Sequence, residues 1–262
     1  MVKSPIDGEE HKHMSQVDMQ KPIIEAKPTG KLASEPYLES DSPAQIPDYL
    51  DKIYNWAYLN PKNARFLDNE FVVRTILWQQ HRKLEKAAFA EIEPGQSVLQ
   101  PACVYGRFSP ALATHIGPKG KLEVVDVAEV QVKNCRRKLK DFPNAPVTHS
   151  DVLHLCGENY DTVCCYFLMH ELPDDYKYGA ADVLLSSVPV GGKVVFVDYH
   201  KPHWAHPLKI VMSLVFNTLE PFAKSLWRNE ISHFTQHADR FSWSKQTYFG
   251  GLYQKVVATR TC

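Results

Sequence analysis

The sequence predicts an α/β protein with a Rossmann-like, mostly parallel sheet, an N-terminal helical cap and a C-terminal antiparallel hairpin. From residue 98 onwards, short apolar runs alternate with helical patterns, which is typical of parallel strands joined by crossover helices. The run 161–168 is apolar almost throughout, as in a strand buried on both faces. Two further segments, separated by Gly250 and Gly251, close the chain as a hairpin.

Composition divides the chain near residue 46. Residues 1–46 are polar and carry five prolines and one aromatic residue, Tyr37, so they are predicted to form a disordered tail. Apolar residues at helical spacing begin at Pro47 and predict a helical cap over 47–95, within an α/β domain over 47–262. The cap contains aromatic residues that pack it onto the domain or line a pocket for a flat ring: Tyr54, Trp56, Tyr58 and Trp78.

The individual elements follow in order. The predicted strands begin at residue 98 and continue at 122–126, near 147, and at 161–168, 194–198, 241–248 and 252–259. The predicted helices span 109–116 and 130–139, and a further one begins at Asp174 and Asp175.

Charge and cysteine content exclude some classes of protein. Lys+Arg and Asp+Glu are both 30, and the zero net charge argues against nucleic acid as the main partner. The six cysteines form no CxxC pair, and Cys164 and Cys165 lie together in an apolar run, which suits a reducing compartment. There is no signal-type apolar stretch at the N-terminus and no run long enough to span a membrane.

The segment 98–108, Val-Leu-Gln-Pro-Ala-Cys-Val-Tyr-Gly-Arg-Phe, is the candidate ligand loop. A strand that turns into a helix brings backbone N–H groups and the positive helix end together. The segment resembles the loop of S-adenosylmethionine (SAM) methyltransferases, which has an acidic residue and then three alternating glycines. In this sequence those four positions hold Gln100, Ala102, Val104 and Gly106, and Tyr105 completes the predicted cofactor-binding loop.

Two carboxylates at later strand ends support SAM as the ligand. Asp126 lies about 20 residues beyond the loop, where a carboxylate accepts hydrogen bonds from ribose hydroxyls. Asp151 follows the third strand and is placed to accept from an adenine amino group. Each residue has an ordinary alternative role, as a helix cap or a turn carboxylate. NAD fits less well, because the glycine pattern is poorer for it.

More specific motifs resemble those of the rhodoquinone-biosynthesis (RquA) family, which is related to class I SAM-dependent methyltransferases. The similarity covers roughly residues 47–260 and rests on VLQPACVYGRF, VVDV, FLMHELP, VDYHKPHWAHP and FGGLYQKVV. The resemblance implies conversion of ubiquinone to rhodoquinone, in which an amino group replaces a ring methoxy group. It also implies SAM as the amino donor and Mn(II) as an assisting metal.

Gln100 suggests a hypothesis within that chemistry. A carboxylate beside the α-amino group of SAM would favour the ammonium form, whereas a neutral amide lets the amine lose its proton. Gln100→Glu is then expected to lower amination while leaving SAM affinity similar or better. The alternative is that the position simply tolerates change.

Candidates for proton transfer and metal binding follow the fourth and fifth strands. The predicted catalytic residues are His170, Glu171, Tyr199 and His200. The predicted metal ligands are Asp198, His200 and His206, since carboxylate and imidazole ligands suit Mn(II). Structural hydrogen bonding is the alternative role for each histidine.

Ubiquinone is a membrane lipid, so the expected partners are ubiquinone and a membrane surface. The stretch 204–227 is apolar with interspersed lysines and is interrupted at Pro221; it is predicted to be an interfacial helix, or else one packed on the sheet or on a second copy. The expected location is peripheral, on the cytoplasmic side of the inner membrane, or the mitochondrial inner membrane in a eukaryote. Two competing functions stay open: an ordinary methyltransferase acting on a lipophilic aromatic, and a catalytically silent scaffold.

Overall fold

The computed structural model of the protein describes residues 46–262, except 156, 158 and 159. Within them, one seven-stranded sheet has the order β3-β2-β1-β4-β5-β7-β6. The strands are β1 (Ser97–Gln100), β2 (Lys121–Asp126), β3 (Val147–His149), β4 (Thr162–Tyr166), β5 (Lys193–Tyr199), β6 (Phe241–Tyr248) and β7 (Tyr253–Arg260). Strands β1 to β5 pair in parallel, and β7 is antiparallel to both β5 and β6. The predicted fold class is confirmed.

The sheet is apolar on both faces because helices cover both. Val98 and Leu99, adjacent in β1, belong to different buried clusters, as the two-residue period of a strand requires. Leu112 lies in the first cluster and Leu184 in the second. The whole of β4 is buried, which explains its uninterrupted apolar run.

The α-helices follow the predicted order with small shifts at their ends. They are α1 (Asp48–Lys52), α2 (Pro61–Leu67), α3 (Glu70–Ile76), α4 (His81–Phe89), α5 (Phe108–Ile116), α6 (Glu129–Lys138), α7 (Asp174–Ser186) and α8 (Lys209–Thr218). A π-helical turn, Asn55–Leu59, joins α1 to α2. The prediction of a disordered tail falls, apart from residue 46, outside the described residues.

The helices before β1 are short because the sequence caps them repeatedly. The Asn60 side chain accepts from the backbone N–H groups of Lys62 and Asn63, and Pro61 occupies the first position of α2. Asn69 caps α3 in the same way, through the N–H of Phe71. These helices lie over the carboxyl ends of the strands and form one wall of the site described below.

The apolar stretch 204–227 is not one helix. Helix α8 ends at Thr218, Pro221 follows, and a 3₁₀ segment covers Ala223–Trp227. Met212 and Phe216 are buried, whereas Ile210 is 83% exposed and Leu214 64% exposed, so this helix packs with one face only. No helix in the described part of the chain is both long and apolar enough to span a bilayer.

Candidate active site

A single cavity lies between the carboxyl ends of the parallel strands and the cap. Its floor consists of residues 101–105 after β1, 126–128 after β2, 150–152 after β3, 166–168 and 170–172 after β4, and Tyr199 at the end of β5. The cap and the segment after α8 complete the wall with Tyr49, Leu50, Trp56, Ala57, Tyr58, Leu67, Val73, Ile76, Leu77 and Glu220. Ligands of open α/β sheets bind in this position.

Only some of the predicted cofactor-binding residues in the loop after β1 line the cavity. Ala102, Val104 and Tyr105 line it, together with Cys103, whereas Gln100 and Gly106 do not. The side chains that replace the usual glycines therefore form the cavity surface. This makes the loop face more apolar than a glycine loop.

Gln100 faces the interior of the loop. Its side-chain amide donates to the carbonyl oxygen of Ala102 at 2.6 Å and to Ser109 Oγ, on α5, at 2.9 Å. The residue is 1% exposed, and its Oε1 atom has no hydrogen-bond partner within the described residues. The amide thus acts as a double donor that ties the loop to the following helix.

Gly106 has a conformational role. Its φ of 76° lies in the left-handed region, which favours glycine. Its N–H donates to Asp68 Oδ1 at 2.9 Å, and Lys138 Nζ contacts the same oxygen at 2.7 Å. Lys138 also donates to the carbonyl oxygens of Val104 and Gly106. The amide of Gly106 is thus used to join the loop to the cap and not aimed at a ligand.

Asp126 lies on the cavity wall at the end of β2. Its Oδ2 accepts from the N–H of Cys103 and its Oδ1 from the N–H of Ala128, both at 2.8 Å. Burial raises the pKa of this carboxyl to about 6, although the two backbone donors act in the opposite direction. A ribose diol is a chemically suitable additional donor to this carboxylate.

Asp151 lines the cavity beyond β3. Its Oδ1 caps the 3₁₀ turn Val152–His154 by accepting from the N–H of Leu153 at 2.9 Å. The turn role anticipated as an alternative is therefore present. It does not conflict with ligand binding, because a carboxylate has several acceptor sites and this residue faces the cavity.

The histidine of FLMHELP is held by a buried carboxylate. His170 Nδ1 lies 2.9 Å from Asp198 Oδ1, and the backbone N–H of His170 donates to Asp198 Oδ2 at 3.2 Å. Burial is the largest single effect and would lower the pKa of His170, but Asp198, Glu220 and Glu171 together outweigh it and raise the pKa to about 9. Phe167 has a positive φ of 54°, a strained conformation for a bulky residue, three positions before His170.

Glu171 faces the same space. Tyr58 of the cap donates its hydroxyl hydrogen to Glu171 Oε1, and His170 Nε2 lies 3.8 Å from that oxygen. Burial raises the pKa of Glu171 to about 8, and nearby Glu220 adds to the rise, against the opposing charge of His170. Glu171 therefore holds a proton close to neutral pH, as a general acid or base must.

The other predicted residues divide between the cavity and its surroundings. Tyr199 lines the cavity and meets the His170 ring edge-on, at 4.9 Å between ring centroids. His200 lies outside it, with Nδ1 at 2.9 Å from the carbonyl oxygen of Gly251. The ring of His206 packs on Phe249 at the hairpin turn, 5.1 Å between centroids.

The predicted metal ligands do not form a ligand set. Both oxygens of Asp198 are used by His170, and Oδ1 also accepts from the N–H of Tyr199 at 2.7 Å. His200 and His206 face the hairpin. Among residues 46–262, leaving aside the three that are not described, no three His, Cys, Asp or Glu side chains are arranged to hold a metal ion. The residues present do not fit Mn(II) in the expected position.

Glu220 is a site residue that the sequence did not reveal. It lines the cavity two residues after the end of α8, and its Oε2 accepts from Tyr54 Oη at 2.8 Å. Burial raises its pKa, while the charge of His170 lowers it. Glu220 is the only acidic residue in the apolar stretch 204–227. A single carboxylate in an apolar segment is the sequence feature that could have indicated a site residue.

The aromatic residues of the cap serve both roles that were left open. Tyr54 is 1% exposed and packs beneath the cap, and Trp78 lies outside the cavity. Trp56 and Tyr58 line the cavity, and the Tyr58 ring stacks on Tyr105 at 5.6 Å and 8°.

Comparison with known proteins agrees with this geometry. Residues 98–202 match the family model described as a methyltransferase domain. The demethylmenaquinone methyltransferase of Staphylococcus saprophyticus is 25% identical over 179 residues, covering 66% of this chain and 72% of that protein. The enzyme of the same name from Staphylococcus aureus strain Newman is 24% identical over 178 residues, covering 66% and 70%.

Solved structures share the fold at low identity. A SAM-dependent methyltransferase from Aquifex aeolicus has a TM-score of 0.50 and 19% identity, covering 76% of this chain and 97% of that chain. The N-methyltransferase NodS from Bradyrhizobium japonicum, in complex with S-adenosyl-L-homocysteine, has a TM-score of 0.52 and 12% identity, covering 82% and 99%. The chain has the Rossmann-like methyltransferase fold, and its matched domain and relatives support a class I SAM-dependent methyltransferase.

Proposed function

We propose that the protein is a SAM-dependent transferase whose acceptor is a quinone or a similarly flat, lipophilic ring. One observation carries this proposal: a single cavity has two chemically different halves. The SAM half is defined by the loop 101–105, Asp126 and Asp151, and the acceptor half by His170, Glu171 and Glu220 with the aromatic cap. The quinone class is supported by the relatives, which are named for a methyltransferase of demethylmenaquinone.

The residues of the SAM half fit that cofactor. Asp126 is fixed by two backbone N–H groups and would accept from the ribose hydroxyls, and Asp151 would accept from the adenine amino group. Ala102 and Val104 line the cavity and would face the methionine portion. Bound SAM supplies a group activated for transfer by its positive sulfur.

The residues of the acceptor half suit a ring that carries oxygen atoms. Tyr58 and Trp56 of the cap offer flat apolar surface to such a ring. His170 and Glu171 both have raised pKa values, so near neutral pH they can donate a proton to a ring carbonyl oxygen. After Glu171 has lost its proton, it can accept one from a ring hydroxyl. Asp198 keeps His170 charged and oriented.

Two reactions are compatible with this site. Methyl transfer to the ring is favoured by the curated relatives. Amino transfer from SAM, which converts ubiquinone to rhodoquinone, is favoured by the resemblance of the motifs and by the altered loop. At that loop a neutral Gln100 replaces the usual acidic residue, so the carboxylate that would favour the charged α-amino group is missing from this position. We keep both candidates, because one experiment separates them.

The deciding experiment measures the mass of the product. Purified protein is incubated with SAM and either a short-chain ubiquinone or demethylmenaquinone, with and without Mn(II). SAM is labelled in one reaction at the methyl carbon and in another with ¹⁵N at the α-amine. Methyl transfer puts the carbon label into the ring product. Amino transfer gives a product that has lost a methoxy group and gained the ¹⁵N label.

Each candidate function predicts a different labelling result. A ¹⁵N-labelled product establishes the amino-transfer reaction, and a carbon-labelled product establishes the methyl-transfer reaction. Measurable SAM binding without product from either quinone, with or without Mn(II), contradicts the proposal and favours a catalytically silent scaffold. Because such substrates dissolve in lipid, we also propose a peripheral location on the cytoplasmic side of the inner membrane, or on the mitochondrial inner membrane in a eukaryote.

A further inference from the structure

We propose that the outer face of the cap helices α2 and α3 docks on an anionic lipid bilayer and admits the lipophilic acceptor into the cavity. We call this surface the cap face and define it by Phe66, Phe71, Arg65 and Arg74. The inference rests on the proposed function for the identity of the acceptor. Docking itself is argued from the surface alone.

The cap face exposes large apolar side chains. Phe66 is 67% exposed and Phe71 72% exposed, and α3 buries none of its residues. These two phenylalanines lie on consecutive helices, and no residue in the described part of the chain covers either side chain. Ile76, 48% exposed, extends it towards the cavity. Such clusters mark contact surfaces in soluble proteins.

The same helices form the wall of the cavity. Leu67 is adjacent to Phe66 in α2, and Val73 and Ile76 lie in α3; all three line the cavity. Ile76 is therefore both exposed to the outside and part of the lining. The side chains that connect the cap face to the cavity lining are therefore apolar. A substrate that enters from a bilayer needs such a connection.

The charge around the cap face identifies the partner as an anionic membrane. The whole chain has no net charge, but residues 60–77, which include α2 and α3, carry three basic side chains against two acidic ones. All three basic ones are exposed: Lys62, Arg65 and Arg74. One of the acidic residues, Asp68, is already paired with Lys138. Basic residues around exposed aromatic ones are typical of surfaces that bind anionic headgroups.

Helix α8 is the natural control. It exposes Ile210 and Leu214 to a similar extent, but these residues line a surface groove on α8 and not the cavity at the strand ends. If membrane binding required only an exposed apolar helix, α8 would serve equally well. The cap face differs because it combines exposure with the cavity wall.

Co-sedimentation with vesicles tests the proposal on the full chain. The vesicles contain phosphatidylcholine alone or with phosphatidylglycerol. F66N/F71N and R65E/R74E are each expected to weaken binding to the anionic vesicles by about tenfold or more. The matched control I210N/L214N is expected to bind within about twofold of the wild type. Circular dichroism and light scattering establish that each variant is folded and has an unchanged oligomeric state.

Three outcomes would overturn the proposal. The first is unchanged binding of both cap-face variants, and the second is loss of binding in the α8 control alone. The third is a change of oligomeric state in the cap-face variants, which would mean that a second copy covers this face. A failure of the proposed function has a different signature: no product from any quinone, while vesicle binding still depends on the cap face.

Discussion

The two halves of the cavity are built in different ways. In the SAM half, Asp126 and Asp151 follow strands directly, and backbone N–H groups fix them. In the acceptor half, titratable groups come from separate segments and are fixed by other side chains: Glu171 by Tyr58, Glu220 by Tyr54, and His170 by Asp198. We infer that the SAM half is set by the fold and the acceptor half by side-chain chemistry. Substitutions should then affect the two halves separately.

The largest effect is expected from Glu171→Gln. Glutamine keeps an acceptor for Tyr58 but cannot transfer a proton, so kcat should fall by about 100- to 1,000-fold. The dissociation constant for SAM should stay unchanged, because Glu171 belongs to the other half. Single-turnover rates and calorimetric titration with SAM measure the two quantities.

Glu220→Gln is the matched comparison, since it removes a carboxyl from the same cavity. The Glu171 carboxyl lies 3.8 Å from His170 Nε2, beside the other proton-transfer group of the site. The Glu220 carboxyl accepts from Tyr54 of the cap, so we expect Glu220→Gln to lower kcat less than Glu171→Gln does. Equal losses in the two variants would contradict the role assigned to Glu171. A loss of SAM affinity in Glu171→Gln would contradict the separation of the halves.

Asp126→Ala is expected to have the next largest effect, and in SAM binding. It removes the acceptor for two backbone N–H groups as well as the candidate ribose ligand. Affinity for SAM should fall by about 100-fold, which corresponds to about 2.7 kcal/mol. Asp239→Ala, at an exposed position, is the control and should leave the affinity unchanged. If SAM still bound normally to Asp126→Ala, this carboxylate would have only a turn role.

Gln100→Glu separates two explanations of the altered loop. From the charge of the SAM amine alone, this substitution should leave SAM affinity similar or better. In the structure, however, Gln100 donates to Ala102 O and Ser109 Oγ, and a carboxylate would repel the carbonyl oxygen at 2.6 Å. The Ser109 hydroxyl can donate to the new carboxylate, so we expect about a tenfold loss of SAM affinity from the repulsive contact with Ala102 O alone.

The measurement is again calorimetric titration, and Gln100→Met is the companion variant. Methionine is uncharged and similar in length but donates no hydrogen bond. If the donor role matters, both variants lose affinity. Retained affinity in Gln100→Glu with loss of amination would restore the electrostatic hypothesis and show that the contacts to the loop are dispensable.

The pH dependence of stability gives a smaller effect. Burial raises the pKa of Glu171 from 4.5 to about 8, so its contribution to stability is full below pH 4.5 and is lost as pH rises to about 8. The pKa of His170 rises from 6.5 to about 9, because Asp198, Glu220 and Glu171 together outweigh burial, and its contribution is lost between those values. The free energy of unfolding should therefore fall as pH rises from 6.5 to 8.

In Glu171→Gln this fall should be less steep, by at most about 1.4 kcal/mol per pH unit, the limit for one titrating group. Urea unfolding at several pH values measures the slope. An identical slope in the variant would show that Glu171 has the same proton affinity in the folded and unfolded chain.

The difference between the halves also explains what could be predicted from the sequence. The succession of strands and helices along the chain and the positions of Asp126 and Asp151 follow from periodicity, because a carboxylate after a buried parallel strand lies at the carboxyl edge of the sheet. His170, Glu171 and Tyr199 were found for the same reason. His200 and His206 were predicted as site residues because they lie near a strand end, but their rings contact the hairpin turn.

Contacts between distant segments had no such signal. Glu220 meets Tyr54 across 166 positions of the chain, and Tyr58 meets Glu171 across 113. Neither spacing is periodic. The inward direction of the Gln100 side chain also depends on the hydroxyl of Ser109 in α5. No pattern in the sequence marks Ser109 as the partner of Gln100.

The smallest effect is expected from Tyr105→Phe, at the boundary between the halves. The Tyr105 hydroxyl donates to Ala57 O at 2.6 Å and accepts from Gln131 at 2.7 Å, so it fastens the cap to the loop. Phenylalanine keeps the stack on Tyr58 but removes both bonds. We expect the KM for the quinone to rise a few-fold with kcat almost unchanged, and stability to fall by about 1 kcal/mol.

Tyr248→Phe is the control, since its hydroxyl donates to Gln246 within the hairpin. Amide hydrogen exchange over the cap should accelerate in Tyr105→Phe and not in Tyr248→Phe. Suppose that exchange is faster in Tyr105→Phe and that SAM affinity falls by the same factor as the KM for the quinone rises. The Tyr105 hydroxyl would then affect both halves of the cavity, which contradicts the inference that substitutions affect them separately. Faster exchange with SAM affinity retained would show that the cap closes over the acceptor half independently of the cofactor loop.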